Sequence, residues 1–402
     1  VAQVVIPGQE SNTAFYIDGT SWVELVEGLN DKYTSHVKKL EAYEKQFLLD
    51  GPAYLKTAKE ILPLRLEKLN NKELKKLYED YQDKLYQYST FAWSAFILNN
   101  YVAERATALL DKYIAKAKRE DQKQEIHDAL FRPEEKAAAL ELQHEIEKQR
   151  GKLTKKQLED LYERFKWLSC LDLHNRPWTR EEFTSHIKSM TPTVSKKELQ
   201  FDKVARELRI EKEDLAYLMM AKRFVYIKDA RDDFRRQGVF YALTYFKEVA
   251  RRMHIEPQDI SYLQEAEILG FLDGKVKISK QIISQRKKGF VVYLNSHGNL
   301  VCLQDDDVQQ ALREFNLILE EEKPKEITGR VASQGMVSGK VIIVRGVKDL
   351  TRVKNGAILV AVTTHPDYVP AMRRAAAIVT DEGGITSHAA IVSREFGIPC
   401  IV

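Results

Sequence analysis

The run from Thr380 to Pro399 constrains this chain more than any other stretch. Ile378-Val379-Thr380 is short and β-prone. Gly383-Gly384 permits a sharp turn or a positive φ. Thr386 or Ser387 can cap a helix running from about His388 to Phe396. Gly397 stands where a helix C′ residue belongs, and Pro399 blocks continuation. The segment reads as strand, glycine turn, histidine, helix. His388 then falls at a helix N-terminus, where free backbone N–H groups and the positive end of the helix dipole stabilise an anion. An imidazole is a competent nucleophile near neutral pH. The pattern therefore suits a phosphoryl group carried on His388. Spacing alone leaves a second reading open, a capped βα unit with an incidental surface histidine.

Residues after about 328 keep to the same β/α character. Val341-Ile342-Ile343-Val344, Ala357 to Ala361 and Ala377 to Thr380 read as strands, with a helix at about Tyr368 to Ala375. Before them, Glu320 to Glu326 is charged, contains Pro324 and lacks apolar anchors. It reads as a linker or hinge over 320–327 that would let the C-terminal module move as a rigid body.

The Thr380–Pro399 run resembles the signature of the phosphohistidine swivelling domain of phosphoenolpyruvate-utilising enzymes. That family includes phosphoenolpyruvate synthase, pyruvate phosphate dikinase and rifampicin phosphotransferase. The resemblance covers about Thr328 to Val402, including Leu359 to Tyr368 with Thr364 and Pro366. More diffuse likeness, at Tyr162 to Leu168 and Glu256 to Ile268, is to the connecting region of the synthase-like branches. The resemblance implies that His388 is the residue phosphorylated. It also implies that Gly383 and Gly384 allow close phosphate approach, and that Thr386 and Ser387 donate hydrogen bonds to the phosphoryl oxygens. Arg394 is expected at packing or an interface. In the family an ATP-grasp domain phosphorylates the histidine, and the carrier then swings to an acceptor such as pyruvate. ATP and Mg2+ are thus expected in a missing domain or a partner subunit, since the sequence carries no glycine-rich nucleotide loop, acidic metal set or pyruvate-binding barrel. The swivelling domain is expected to be truncated at Cys400-Ile401-Val402, and the chain to be a fragment or one component of a larger phosphotransferase.

The rest of the chain reads as mainly helical. Residues 1–20 suggest two short strands, with Thr20 or Ser21 capping the first helix. A helical domain is expected over 21–288, and a β-hairpin with a helix over 289–319. Leu62, Leu66 and Leu69 share one helical face, as do Leu74, Leu77 and Tyr81. Helix stops are expected at Gly51-Pro52, Asn70-Asn71, Arg132-Pro133 and Gly151. Thr154 with Gln157, and Thr179 with Glu182, have capping-box spacing. Residues 215–255 read as one helical pattern followed by a further helix from about Tyr241 to Met253. Tyr78, Tyr81, Tyr86, Tyr88, Phe91 and Trp93 are expected in core contacts rather than as a base-stacking platform. Lys72 to Lys76 and Arg231 to Arg236 read as solvated faces with internal ion pairs. Asp305 to Asp307 lacks calcium-loop spacing and is expected to charge a helix N-terminus.

With 402 residues the chain has room for two or three domains. A net charge of +4 gives no case for nucleic acid or membrane. The three cysteines lack metal spacing and fit reduced thiols in a cytoplasmic protein. The contrasting reading is a non-catalytic helical interaction module with a vestigial histidine domain, against which the intact Gly-Gly-x-Thr-Ser-His run argues.

Overall fold

The computed structural model describes residues 2–5, 13–132, 135–149, 153–189, 199–295, 297–315, 328–364, 368–385 and 387–402. The expected linker at 320–327 lies outside them, as does Thr386. The chain divides into two compact units. One is residues 1–27, 59–82 and 241–328; the other is 28–58, 83–240 and 329–402.

The first unit holds a four-stranded antiparallel sheet. Strands β1 (Ala2–Val5) and β2 (Thr13–Tyr16) pair with each other, and β1 also pairs with β3 (Phe290–Leu294). The expected hairpin closes between β3 and β4 (Leu300–Gln304), and the sheet order is β2-β1-β3-β4. The helix after it spans Asp306–Glu314 and buries Val308, Ala311 and Leu312 against Val291. Asp306 and Asp307 charge its first turn, while Asp305 makes no side-chain cap. Tyr245 donates from its hydroxyl to the Leu74 carbonyl at 2.8 Å and stacks on Tyr78. The first helix of the chain, Gly19–Tyr33, is capped by Asp18, whose Oδ1 accepts from the Ser21 amide, rather than by Thr20 or Ser21. The Asp18 carboxylate takes this role because it stands one residue before the first helical position.

Long helices make up most of the remaining described residues. Gly51-Pro52 does not stop a helix: Val37–Ile61 runs through it. Pro52 is exposed and Gly51 is buried against the Phe234 ring, so packing outweighs the local cost of both residues. The same helix ends at Ile61, just before Pro63, so Leu62, Leu66 and Leu69 do not share one helical face. Asn70 does mark a boundary. It begins a helix over Asn71–Lys116 through reciprocal bonds with Glu73. The capping boxes at Thr154/Gln157 and Thr179/Glu182 both form. Residues 212–253 are one 42-residue helix, not two. A close approach explains its persistence: Gly238 sits where any Cβ would strike the fully buried Tyr54 side chain. Tyr54 in turn stacks on Tyr88 at 5.3 Å. Of the aromatic set, Tyr78, Tyr81 and Tyr88 are buried as expected, whereas Tyr86 and Trp93 are exposed.

The run Arg231 to Arg236 is not a solvated face. Arg236 is fully buried and donates to the Leu168 carbonyl. Burial alone would raise the Asp232 carboxyl, but Arg231, Arg235, Arg236 and Lys228 hold it at about 2. Its neighbour Asp233 accepts from the Ala138 amide at 2.7 Å, yet burial pushes its carboxyl up to about 7. The charges turn inward because the 42-residue helix is enclosed on several sides there, a tertiary fact that helical spacing does not carry.

A carboxyl whose pKa rises on folding holds its proton more tightly when folded. The stability it confers is present below its ordinary value of 3.8 and is lost as pH rises toward about 7. Asp233→Asn keeps an acceptor for the Ala138 amide and removes the titration. Urea unfolding should show the variant more stable than wild type, with the gain larger at pH 8 than at pH 5 by about 2 kcal/mol.

Candidate functional site

The C-terminal module is a five-stranded sheet. Strands β5 (Val331–Ser333), β6 (Val341–Val344), β7 (Ala357–Ala361), β8 (Ala375–Thr380) and β9 (Cys400–Ile401) lie in the order β5-β9-β8-β7-β6. All adjacent pairs from β6 to β9 are parallel, and β5 is antiparallel to β9. In parallel sheets the loops beyond the carboxyl ends of the strands are where ligands bind. Here Ala361 pairs with Thr380, so the chain leaving β7 and the loop leaving β8 emerge side by side.

That loop forms the site. Asp381 and Glu382 still donate from their amides to the Ala361 and Val362 carbonyls. Gly383 then takes φ +127°, a region a side chain rarely enters, and a Cβ there would also press on Ser387. Ser387 is the N-cap of the helix His388–Phe396, its Oγ accepting from the Ala390 amide at 3.2 Å. The helix closes at Gly397 with φ 64°. Ala389, Ala390, Ile391 and Val392 are buried, and the two alanines let the helix lie close to its neighbours.

His388 Nδ1 is 2.8 Å from the hydroxyl of Thr364, three residues past β7. Thr364 is buried. The hydrogen bond orients the imidazole at the helix N-terminus beside the glycine turn. The structure thus brings together His388, Gly383, Gly384 and Ser387; Thr386 lies outside the described residues. The Ser387 hydroxyl oxygen is already engaged as a helix cap, although its O–H can still donate. Two residues were missed as site residues. Thr364 stood in the sequence only as part of a family-like stretch, with nothing to link it to a histidine 24 positions on. Asn100, on the helix Asn71–Lys116, lies against Gly384: a Cβ on Gly384 would come 2.5 Å from its Oδ1. That contact is purely tertiary and leaves no trace in local pattern.

Ion pairs join the module to neighbouring helices of the same compact unit. Arg330 meets Glu104 at 2.8 Å, Arg373 meets Glu147 at 3.1 Å and Arg132 meets Glu395 at 3.9 Å. Arg394 is a buried interface residue, as expected, with Nε 3.8 Å from Asp128. Burial pushes the Asp128 carboxyl above its ordinary range and the Arg394 guanidinium below its own. Among the described residues no group of three or more histidine, cysteine, aspartate or glutamate side chains is placed to hold a metal ion. None of the described helices is long and apolar enough to cross a membrane.

Fold and site together define a small β/α module that presents an oriented histidine at a helix N-terminus. Residues 353–402 match the family described as PEP-utilising enzyme, mobile domain. That match likens the C-terminal module, residues 353–402, to the mobile domain of phosphoenolpyruvate-utilising enzymes. The chain is 41% identical over 156 residues to the phosphoenolpyruvate synthase of Pyrococcus furiosus, covering 34% of this chain and 19% of that protein. It is 57% identical over 84 residues to a probable phosphoenolpyruvate synthase of Methanothermobacter thermautotrophicus, covering 20% of this chain and 12% of that protein. With the phosphoenolpyruvate synthase of Pseudomonas aeruginosa the identity is 42% over 85 residues, 21% of this chain and 11% of that protein. The chain therefore spans about a fifth or less of the length of these relatives.

Packing at the glycine turn is directly testable. Gly384→Ala should destabilise the protein only modestly, by about 1 kcal/mol or less, because the exposed Asn100 side chain can turn aside. Asn100→Ala in the same chain should restore most of the loss, giving a coupling energy in a double-mutant cycle of denaturation midpoints. Additive effects would mean that the two residues do not touch.

Proposed function

We propose that this chain is the histidine-bearing part of a phosphotransferase, in which His388 takes up a phosphoryl group and passes it on. The observation that carries this reading is the His388–Thr364 hydrogen bond at the head of the helix, beside Gly383 and Gly384. With Nδ1–H donating to Thr364 Oγ1, the imidazole lone pair lies on Nε2. In the first step Nε2 attacks phosphorus, an N–P bond forms, and the P–O bond to the donor breaks with its electron pair leaving on oxygen. In the second step an acceptor oxygen attacks the same phosphorus. The N–P bond breaks, its electron pair returns to Nε2, and the acceptor's proton passes to solvent.

Phosphoryl transfer asks mainly for positioning and charge neutralisation. The N-terminal amides of the helix and the Gly383-Gly384 backbone supply donors without a Cβ to obstruct approach. Ser387 adds a hydroxyl, and Thr386, by its place in the motif, would add another. Thr364 orients the ring.

The relatives are named phosphoenolpyruvate synthases, which supports phosphoenolpyruvate on the acceptor side; with it we place pyruvate as the acceptor and an ATP-binding domain or subunit as the donor site. A magnesium-bound nucleotide there would supply the phosphoryl group. That ion would be held with the nucleotide in the ATP-binding domain or subunit.

Incubation with phosphoenolpyruvate, or with ATP and an ATP-binding partner, should add one acid-labile phosphoryl group by intact mass. His388→Ala should abolish the addition. Thr364→Val should leave the fold intact and slow phosphorylation by about 10-fold, the loss of one orienting hydrogen bond. Wild-type labelling that survives in His388→Ala would rule the reading out.

A further inference from the structure

A cavity of about 370 Å³ lies where Arg394 and the start of β5 face the helices Asn71–Lys116 and Lys123–Phe131, all within one compact unit. Its size falls in the range of small-molecule sites, roughly 300–1,000 Å³. Arg394 lies six residues, about 9 Å, along the helix from His388, and of the histidine loop only Ile385 lines the cavity. Two donors lining the cavity are unsatisfied. The Arg394 side chain is only 8% exposed, and its Nη2 has no hydrogen-bond partner among the described residues. Its Nη1 reaches only the Ala332 carbonyl, at 3.4 Å. The Thr107 hydroxyl, also buried, likewise has none. Leaving such groups unpaired away from water is costly, and a guanidinium more so than a hydroxyl.

The lining also says which ligand would satisfy them. A planar guanidinium fork matches a carboxylate. Glu104, Asp111 and Asp128 face the same space and cancel the charges of Lys123, Arg330 and Arg394, so the lining has no surplus positive charge and disfavours a dianion more than a monoanion. His127 adds no fixed charge: burial pushes its imidazole below the ordinary value despite Asp111 at 2.8 Å. Ala108, Phe131, Val331 and Ile385 complete the wall with apolar surface suited to a short hydrocarbon body. We propose that this cavity binds a small monocarboxylate, its carboxylate bridging Arg394 and Thr107 and its apolar body lying against Phe131 and Ile385. Because Arg394 belongs to the module and Thr107 to the helix Asn71–Lys116, occupancy ties the two together.

Isothermal titration calorimetry of the full chain tests this, with butanoate as the probe and inorganic phosphate as the comparison. Butanoate should bind saturably at one site and more tightly than phosphate. Thr107→Val and Arg394→Lys should each weaken it by about tenfold, as expected for one lost hydrogen bond to a charged group. Ala108→Phe, which fills the space, should abolish it, and His388→Ala should leave it unchanged. Should Arg394→Lys not fold, Thr107→Val and Ala108→Phe decide the matter. Absence of saturable butanoate binding, phosphate binding at least as tight, or binding indifferent to Thr107→Val and Ala108→Phe would each overturn the proposal.

Discussion

The parallel pairing of β7 with β8 is the constraint on which the site depends. It makes the two strand ends leave the sheet together, and Thr364 then meets His388 although 24 residues separate them. Without that register the histidine would be one more polar residue at a helix start. With it, the ring is oriented at the helix N-terminus, close in the chain to the Gly383-Gly384 pair. Helix dipole, glycine turn and orienting hydroxyl act on one imidazole, and each depends on the sheet holding the others in place.

A second constraint is the way this module is packed. Its helix turns Arg394 inward against Asp128, and Gly384 lies tight against Asn100. Arg330–Glu104 is exposed and contributes little, as surface pairs do. Arg394 is different, since removing it from water has a cost that Asp128, at 3.8 Å, offsets only in part. The incompletely satisfied guanidinium and the cavity beside it are two aspects of one packing arrangement.

Local signals were readable where local physics decides. The helix His388–Phe396, its Ser387 cap, the Gly397 terminus, the capping boxes at Thr154 and Thr179, and the hairpin after Phe290 all follow from residue type and spacing. Elements governed by tertiary packing were not. Pro52 sits within a helix because Gly51 packs under Phe234. Residues 212–253 stay one helix because Gly238 admits Tyr54. Arg236 and Asp233 are ionisable groups that helical spacing would place in water, yet neighbouring helices enclose them. At the site, the histidine and its glycines were legible from the motif. Thr364 and Asn100 were not, because each reaches the site through a contact distant in sequence.

Long-range proton–nitrogen NMR of the chain labelled with 15N-histidine, before and after phosphorylation, tests the central claim most directly. The account predicts that free His388 carries its proton on Nδ1, bonded to Thr364, and that the phosphoryl group appears on Nε2 with Nδ1 still protonated. A phosphoryl group on Nδ1, or an Nε2–H tautomer in the free protein, would contradict it.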